Sequence, residues 1–229
     1  MKRIKKIAAL VLAAALAVSV AACGSSVKDD GKVYLQGLMD NLYLGQQNED
    51  YLKLFDMTAE EATEEYQTGL EVEAEYFAKM FGIENLNDPL LEQIKDLLAR
   101  AYKNAKYTIK SSSKLESGNY AMEVEIEPID VLTRVTEDDC ADAWAAAMEQ
   151  AGILTEEDAE EMSEEAYILM DNDYAQRIIA LVEDRLAGVG HLPAVTVTMT
   201  LMQDIDGYYD YSQDDFNTLD AKIMPYFAD

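Results

Sequence analysis

The feature that most restricts this chain is a change of hydrophobic period that happens twice. From Lys32 to Tyr102 the apolar residues recur three and four apart. From Tyr107 to Glu127 they alternate, and after Thr136 the same two patterns follow again, the second alternation beginning at Val195. A helix returns a side chain to one face about every 3.6 residues, and a strand every second residue. The order therefore predicts helices followed by a hairpin, in each of two halves.

Helical spacing gives a first helix over 32–44 with Val33, Leu35, Leu38, Leu42 and Tyr43 on its apolar side. Gly45 closes it. A short helix over 49–55 starts at the cap Asn48. Thr58-Ala59-Glu60-Glu61 is a capping box for a longer helix with the stripe Ala62, Tyr66, Leu70, Ala74, Phe77 and Phe81. Asp88 is expected to cap a fourth, with Pro89 at its first position. Then Tyr107 to Lys110 alternates, Glu116 to Asn119 turns, and YAMEVEIE returns with Met122, Val124 and Ile126 on one side. Glu123, Glu125 and Glu127 take the other.

In the second half, Thr136 and Thr155 open helices, and a break is expected near Ser163. Beyond it, 164–187 carries the stripe Ala166, Leu169, Met170, Tyr174, Ile178, Leu181, Val182 and Leu186. Val195 to Met202 alternates, Asp206-Gly207 is a hairpin turn, and Tyr208 to Tyr211 returns. Asp214 or Asp215 caps a last short helix. The fold class that follows is α+β, helices packed on an antiparallel sheet built from two hairpins. It is read as one domain over 32–229, with halves of about 32–130 and 131–229.

The chain opens on MKRIKK, followed by a 16-residue run from Ile7 to Ala22 that is apolar except at Ser19. A basic stretch, an apolar stretch and small residues before a cut site make an export signal. The run is short for a membrane-crossing helix, which needs roughly 20 apolar residues. Val20-Ala21-Ala22-Cys23 resembles the lipobox of bacterial lipoproteins. That resemblance implies a diacylglyceryl group on Cys23 and cleavage before it, so 1–22 is read as signal and 23–31 as lipidated cysteine plus tether. Two acyl chains give stable attachment where one does not. The expected location is the extracytoplasmic face of the cell membrane.

Of 18 basic residues, Lys2, Arg3, Lys5 and Lys6 lie in the signal, leaving 14 against 45 acids, a net charge of −31. Such a body is repelled by anionic lipid, and its lack of a basic patch argues against nucleic acid as a partner. With Cys23 lipidated, Cys140 is the one remaining thiol, so no internal disulfide is expected.

YLQGLMDNLYLGQQNEDYLKLF, EAEYFAKMFGIE, AKYTIK and YAMEVEIEPIDVL, with GILTEEDAEEMSEEAY and DGYYDYSQDDF, resemble an uncharacterised domain family of Gram-positive lipoproteins. The plan of helices and curved hairpins also resembles cystatin-like and nuclear-transport-factor-like cones. A cone implies a concave sheet suited to ligands or contacts, and fold alone does not give function.

His191 is the only histidine and has no nucleophile motif beside it, so it reads as a turn residue. Asp204-Ile205-Asp206-Gly207 looks like part of a calcium loop, but Met202 and Gln213 occupy the places that need an acid and a glutamate. The glutamates of 60–75 read as a solvated helix face. Tyr208, Tyr209 and Tyr211 cluster at the last hairpin, where aromatics stack on sugars or grip peptides, and are the candidate binding residues. No catalytic residue, metal ligand or cofactor is assigned. The chain reads as a membrane-anchored module that binds an envelope ligand or a protein. The alternatives are an enzyme with acid or base groups in a cone-shaped pocket and a purely structural role.

Overall fold

The computed structural model describes residues 27–203 and 209–227. Eight α-helices and four strands appear among them: α1 Val27–Leu44, α2 Glu49–Leu54, α3 Ala59–Phe81, α4 Asp88–Tyr102, β1 Lys106–Lys114, β2 Tyr120–Glu127, α5 Glu137–Gln150, α6 Glu156–Glu160, α7 Glu164–Leu186, β3 Val195–Gln203, β4 Tyr209–Tyr211 and α8 Gln213–Ile223. The class is α+β. The strands form one antiparallel sheet in the order β1-β2-β3-β4, so the two hairpins lie side by side.

The described residues separate into two compact units. The first holds 27–69, 102–129 and 191–224, and the second 70–101, 130–190 and 225–227. Helix α3 gives its first part to one and its second part to the other.

In the first unit the sheet buries one face. Met122, Val124 and Ile126 of β2 are buried beside Ile109 of β1 and Val197, Met199 and Leu201 of β3. Val124 lies opposite Val197 and Met122 opposite Met199, cross-strand pairs of the kind that stabilise sheets. Against that face lie α1, with Leu35, Leu38 and Met39, and α8, with Phe216, Leu219 and Ile223. The other face carries Glu123, Glu125 and Glu127 toward solvent. Lys110 stands at a bulge in β1, where the register slips between Ile109 and Ser111, and its ammonium pairs with Glu125 at 2.6 Å. A bulge and lysines on an edge strand discourage a foreign strand from pairing there.

The second unit is helical. Leu70, Ala74, Phe77 and Phe81 of α3 are buried, as are Ile94, Leu97 and Leu98 of α4. Phe77 and Phe81 sit 4.6 Å apart between centroids, and Tyr226 lies 6.1 Å from Phe81. Helix α5 packs on α7, with Trp144 edge-on to Tyr174 at 5.2 Å.

Local signals placed most helix starts. Thr136 and Thr155 each form a complete capping box, with Asp139 and Asp158 respectively, and Ser163 accepts from the amide of Ala166 to start α7. Four expectations need correction. Helix α1 starts at Val27, inside the stretch 24–31 read as a tether. Its Gly31 is buried, and a Cβ there would stand 2.7 Å from the side chain of Leu201, so this glycine marks close packing. The cap of α4 is Asn87, whose Oδ1 accepts from the amide of Leu90, rather than Asp88. The cap of α8 is Ser212, not Asp214 or Asp215. The Asp215 carboxylate instead accepts from the Thr200 amide of β3 at 2.8 Å. The buried face of α7 is also rotated. Asp171, Ala175 and Ile179 join it, while Leu169 is 66% exposed.

Candidate functional site

Of the three candidate tyrosines, Tyr208 lies outside the described residues, and Tyr209 is placed in β4 by its backbone alone. Tyr211 is half-buried, its ring 5.0 Å from Phe216 of α8. The fold brings it into a cluster that the local sequence did not reveal. Tyr34 of α1 stacks on Phe55 at 4.9 Å, and Phe55 in turn touches Tyr51 of α2 at 4.5 Å. Tyr211 bears electrostatically on both Tyr34 and Tyr51, as does Glu65 of α3 on Tyr51 and Tyr211.

The cluster exists because α1 is notched. Gly37 faces Tyr51 so closely that a Cβ would stand 2.3 Å from its ring, and Gly45, one turn beyond Asn41, faces Tyr66. Only a residue without a side chain lets α2 seat Tyr51 there. Gly45 has φ +62°, a left-handed conformation that also favours glycine.

The electrostatics of the cluster are one-sided. Burial raises the pKa of Tyr34, Tyr51 and Tyr211, and neighbouring negative groups raise them further. Burial, with Glu61 nearby, also raises that of Glu65. Tyr51 is 0% exposed, and its hydroxyl has no hydrogen-bond partner. A buried polar atom left so costs about 1–3 kcal/mol. Exposure falls inward from Asp210, which is open to solvent, through half-buried Tyr211 and Glu65 to Tyr51.

Two surface clefts are already satisfied from within. The first unit has one of about 390 Å³ lined by Gln36, Asp40, Lys106, Tyr107, Glu125 and Glu127. There Tyr107 and Gln36 both donate to Asp40, at 2.7 and 2.8 Å, and Glu127 pairs with Lys106 at 3.6 Å. The second unit has one of about 360 Å³ between α4 and α7. Arg100 spans it from Asp96 to Glu183, and Gln176 donates to Gln93.

The remaining candidates are structural. His191 Nε2 lies 2.8 Å from the carbonyl oxygen of Asn104, to which it donates, and its backbone bridges Ile129. Burial and the adjacent Asp139 push the Cys140 thiol up in pKa, which disfavours the nucleophilic thiolate. Burial pushes the neighbouring Tyr174 hydroxyl up to about 12, and it donates to the Phe81 carbonyl at 2.7 Å. Asp204 and Asp206 of the calcium-like stretch lie outside the described residues. Cys23 does too. Among the described residues no group of three or more His, Cys, Asp and Glu is placed to hold a metal, and no helix is long and apolar enough to cross a membrane.

No protein-family model matches the sequence, and no curated protein matches it. The fold is similar to the crystal structure of a lipoprotein candidate, YcdA, from Bacillus subtilis. The TM-score is 0.53 at 15% identity, over 85% of this chain and 56% of that one. This chain thus spans just over half the length of that protein, and the likeness is one of fold.

Proposed function

We propose that this protein is a lipoprotein of the extracytoplasmic membrane face, held by a diacylglyceryl, palmitate-bearing Cys23. Its folded body acts as a binding module for an envelope ligand or a protein. The observation that carries the anchor is Val20-Ala21-Ala22-Cys23 closing the apolar run that begins at Ile7. The fold shared with the Bacillus subtilis lipoprotein candidate supports it, as does the resemblance to Gram-positive lipoproteins. In this reading 1–22 is removed as signal, and Cys23 and the few residues before α1 join the body to the bilayer.

Binding is assigned to the cluster at the last hairpin, with Tyr211 at its half-open side. The buried hydroxyl of Tyr51, which no protein group answers, supports that placement. The enzyme reading wants an acid enclosed by the apolar side of the sheet. Glu123 and Glu127 stand on the exposed face, and Glu125 beside them is held by Lys110.

Cys23→Ser tests the anchor. It should abolish metabolic labelling by a palmitate analogue and release the protein from membranes, and unchanged labelling and retention would overturn it. A thermal-shift screen of sugars, wall fragments, peptides and amines tests binding, because a ligand of the native state raises the melting temperature with its saturation. At least one class should shift the wild type and fail to shift Tyr211→Ala. A flat response from every class would defeat the binding reading.

A further inference from the structure

We propose that the turn end of the α5–α7 pair, with its outward leucines Leu154 and Leu169, is a docking surface for a basic amphipathic helix of a partner protein. It belongs to the second unit and does not depend on ligand binding at the tyrosine cluster of the first.

The geometry brings the leucines to one place. Asp139 at the start of α5 pairs with Arg185 near the end of α7 at 3.5 Å, and Trp144 meets Tyr174, so the two helices run antiparallel. Gln150, the end of α5, lies six residues beyond Trp144, and Ile168 lies six before Tyr174. At a rise of about 1.5 Å per residue each stands about 9 Å along from the aromatic pair, so Ile168 and Leu169 are level with the end of α5. Leu154 follows that end by four residues. Five large apolar side chains are exposed among the described residues, and three of them are here: Leu154 at 75%, Leu169 at 66% and Ile168 at 37%. A lone exposed leucine is ordinary, whereas a group at one end of one helix pair is the kind of patch that serves an interface.

The surrounding charge gives the partner's chemistry. Residues 135–176 hold 14 acids and no lysine, arginine or histidine. Eight of those acids fall in 149–165, on and beside the connection between the leucines, and all eight are exposed. No ion pair among the described residues involves any position from 140 to 172. Elsewhere acids are answered from within, as Glu92 is by Lys95 and Glu125 by Lys110. The helix ends show the same contrast. Helices α2, α3, α4, α7 and α8 each carry a lysine or arginine in the last turn, where it meets the negative end of the helix dipole. Helices α5 and α6 carry none.

Carboxylates and an uncompensated helix end thus make one negative field around an apolar centre. That field repels anionic lipid and nucleic acid and draws in cations. A helix with leucines on one side and lysines or arginines flanking them complements both the centre and its rim.

The test holds the full chain in nanodiscs of zwitterionic lipid. It is titrated into a fluorescein-labelled peptide of leucine and lysine in helical spacing, about four turns long. Anisotropy, corrected with empty nanodiscs, reports binding. The dissociation constant should lie below about 10 µM and rise about tenfold between roughly 50 and 300 mM salt. A peptide with serine for each leucine should bind at least about tenfold more weakly, and one with glutamate for each lysine should not bind. Leu154→Ser with Leu169→Ser changes only exposed side chains, so it should keep the melting temperature and weaken the peptide about tenfold. Glu156→Gln, Glu157→Gln, Glu160→Gln and Glu161→Gln together should weaken it by about as much. Glu60→Gln, Glu64→Gln, Glu71→Gln and Glu75→Gln, on exposed positions of α3, remove equal charge and should change the affinity less than about twofold.

Absence of saturable binding up to about 100 µM would overturn the inference. So would equal affinity for the serine peptide or an unchanged affinity in Leu154→Ser with Leu169→Ser. An equal loss from the two glutamine sets would overturn it too, because the attraction would then be one of net charge alone.

Discussion

Replacing Asp171 with alanine should destabilise the protein by about 2–4 kcal/mol. Asp171 is 0% exposed on α7, and its carboxylate gathers the loop between α3 and α4. It accepts from the amide of Glu84 at 3.1 Å, the amide of Asn85 at 2.6 Å and the side-chain amide of Asn85 at 3.1 Å. Hydrogen bonds to a charged group contribute about 1.5–3 kcal/mol each, and a buried donor left unpaired costs about 1–3 kcal/mol. Glu84 is exposed and Asn85 half-exposed, so water can recover part of that loss and the sum falls well below three full bonds. In a chain of this size 1 kcal/mol moves the melting temperature by roughly 2–4 °C, so a fall of roughly 5–12 °C is expected. Asp171→Asn keeps the shape and one acceptor oxygen and should lose about half as much. Urea unfolding gives the free energy, and amide hydrogen exchange gives its location, since residues 84 and 85 should lose protection before the sheet does. A loss under about 0.5 kcal/mol with exchange at 84 and 85 unchanged would refute the reasoning, because the anchor would then be replaceable by solvent.

Two helix glycines should respond in opposite directions to alanine. Gly37→Ala drives a methyl group to 2.3 Å from Tyr51 and should cost about 1–3 kcal/mol by overpacking. Gly69→Ala meets only Leu42 at 3.9 Å and should stabilise α3 by about 0.5–1 kcal/mol, both read from denaturant midpoints. The caps give a pH dependence. The Thr136 amide and hydroxyl hold the Asp139 carboxyl below its ordinary 3.8. A lowered folded pKa stabilises above the unfolded value and is lost as pH falls through the folded one. Exchange protection in the first turn of α5 should therefore be full above about pH 5 and decline below pH 4, and Thr136→Ala should flatten that decline and cost about 1 kcal/mol.

What the sequence could reveal was whatever a few neighbouring residues decide. The boxes at Thr136 and Thr155, the break at Ser163 and the two faces of β2 depend on side chains within four positions of each other, and each lies where the pattern put it. What it could not reveal depends on distant partners. Asp171 replaces Leu169 on the buried side of α7 because amides some 85 residues earlier need an acceptor. Gly31 sits in a small, polar stretch that looks like slack, and only the fold brings Leu201 against it. The site divides the same way. Tyr211 stood out in an aromatic run, whereas Tyr34, Tyr51 and Glu65 carry no local mark of their company. One signal was available: Gly37 in the middle of an apolar helix face, a residue that weakens a helix unless something must come close.

The pairing of β2 with β3 also sets an order of events. Ile126 meets Val195, so the sheet of the first unit closes a loop of about 70 residues. Loop closure over that span costs about 4 kcal/mol in chain entropy before any contact repays it. A chain emerging from its N-terminus can form α1 through β2 early, but half the sheet must wait for residues beyond 195. Until then the apolar side of β2, Met122, Val124 and Ile126, has one strand neighbour instead of two. The helices α5 to α7, whose starts are fixed by their own caps, shorten the intervening chain as they form. Their strong local signals thus have a kinetic use: they draw the two hairpins together and reduce the time for which an open strand edge is offered to other chains.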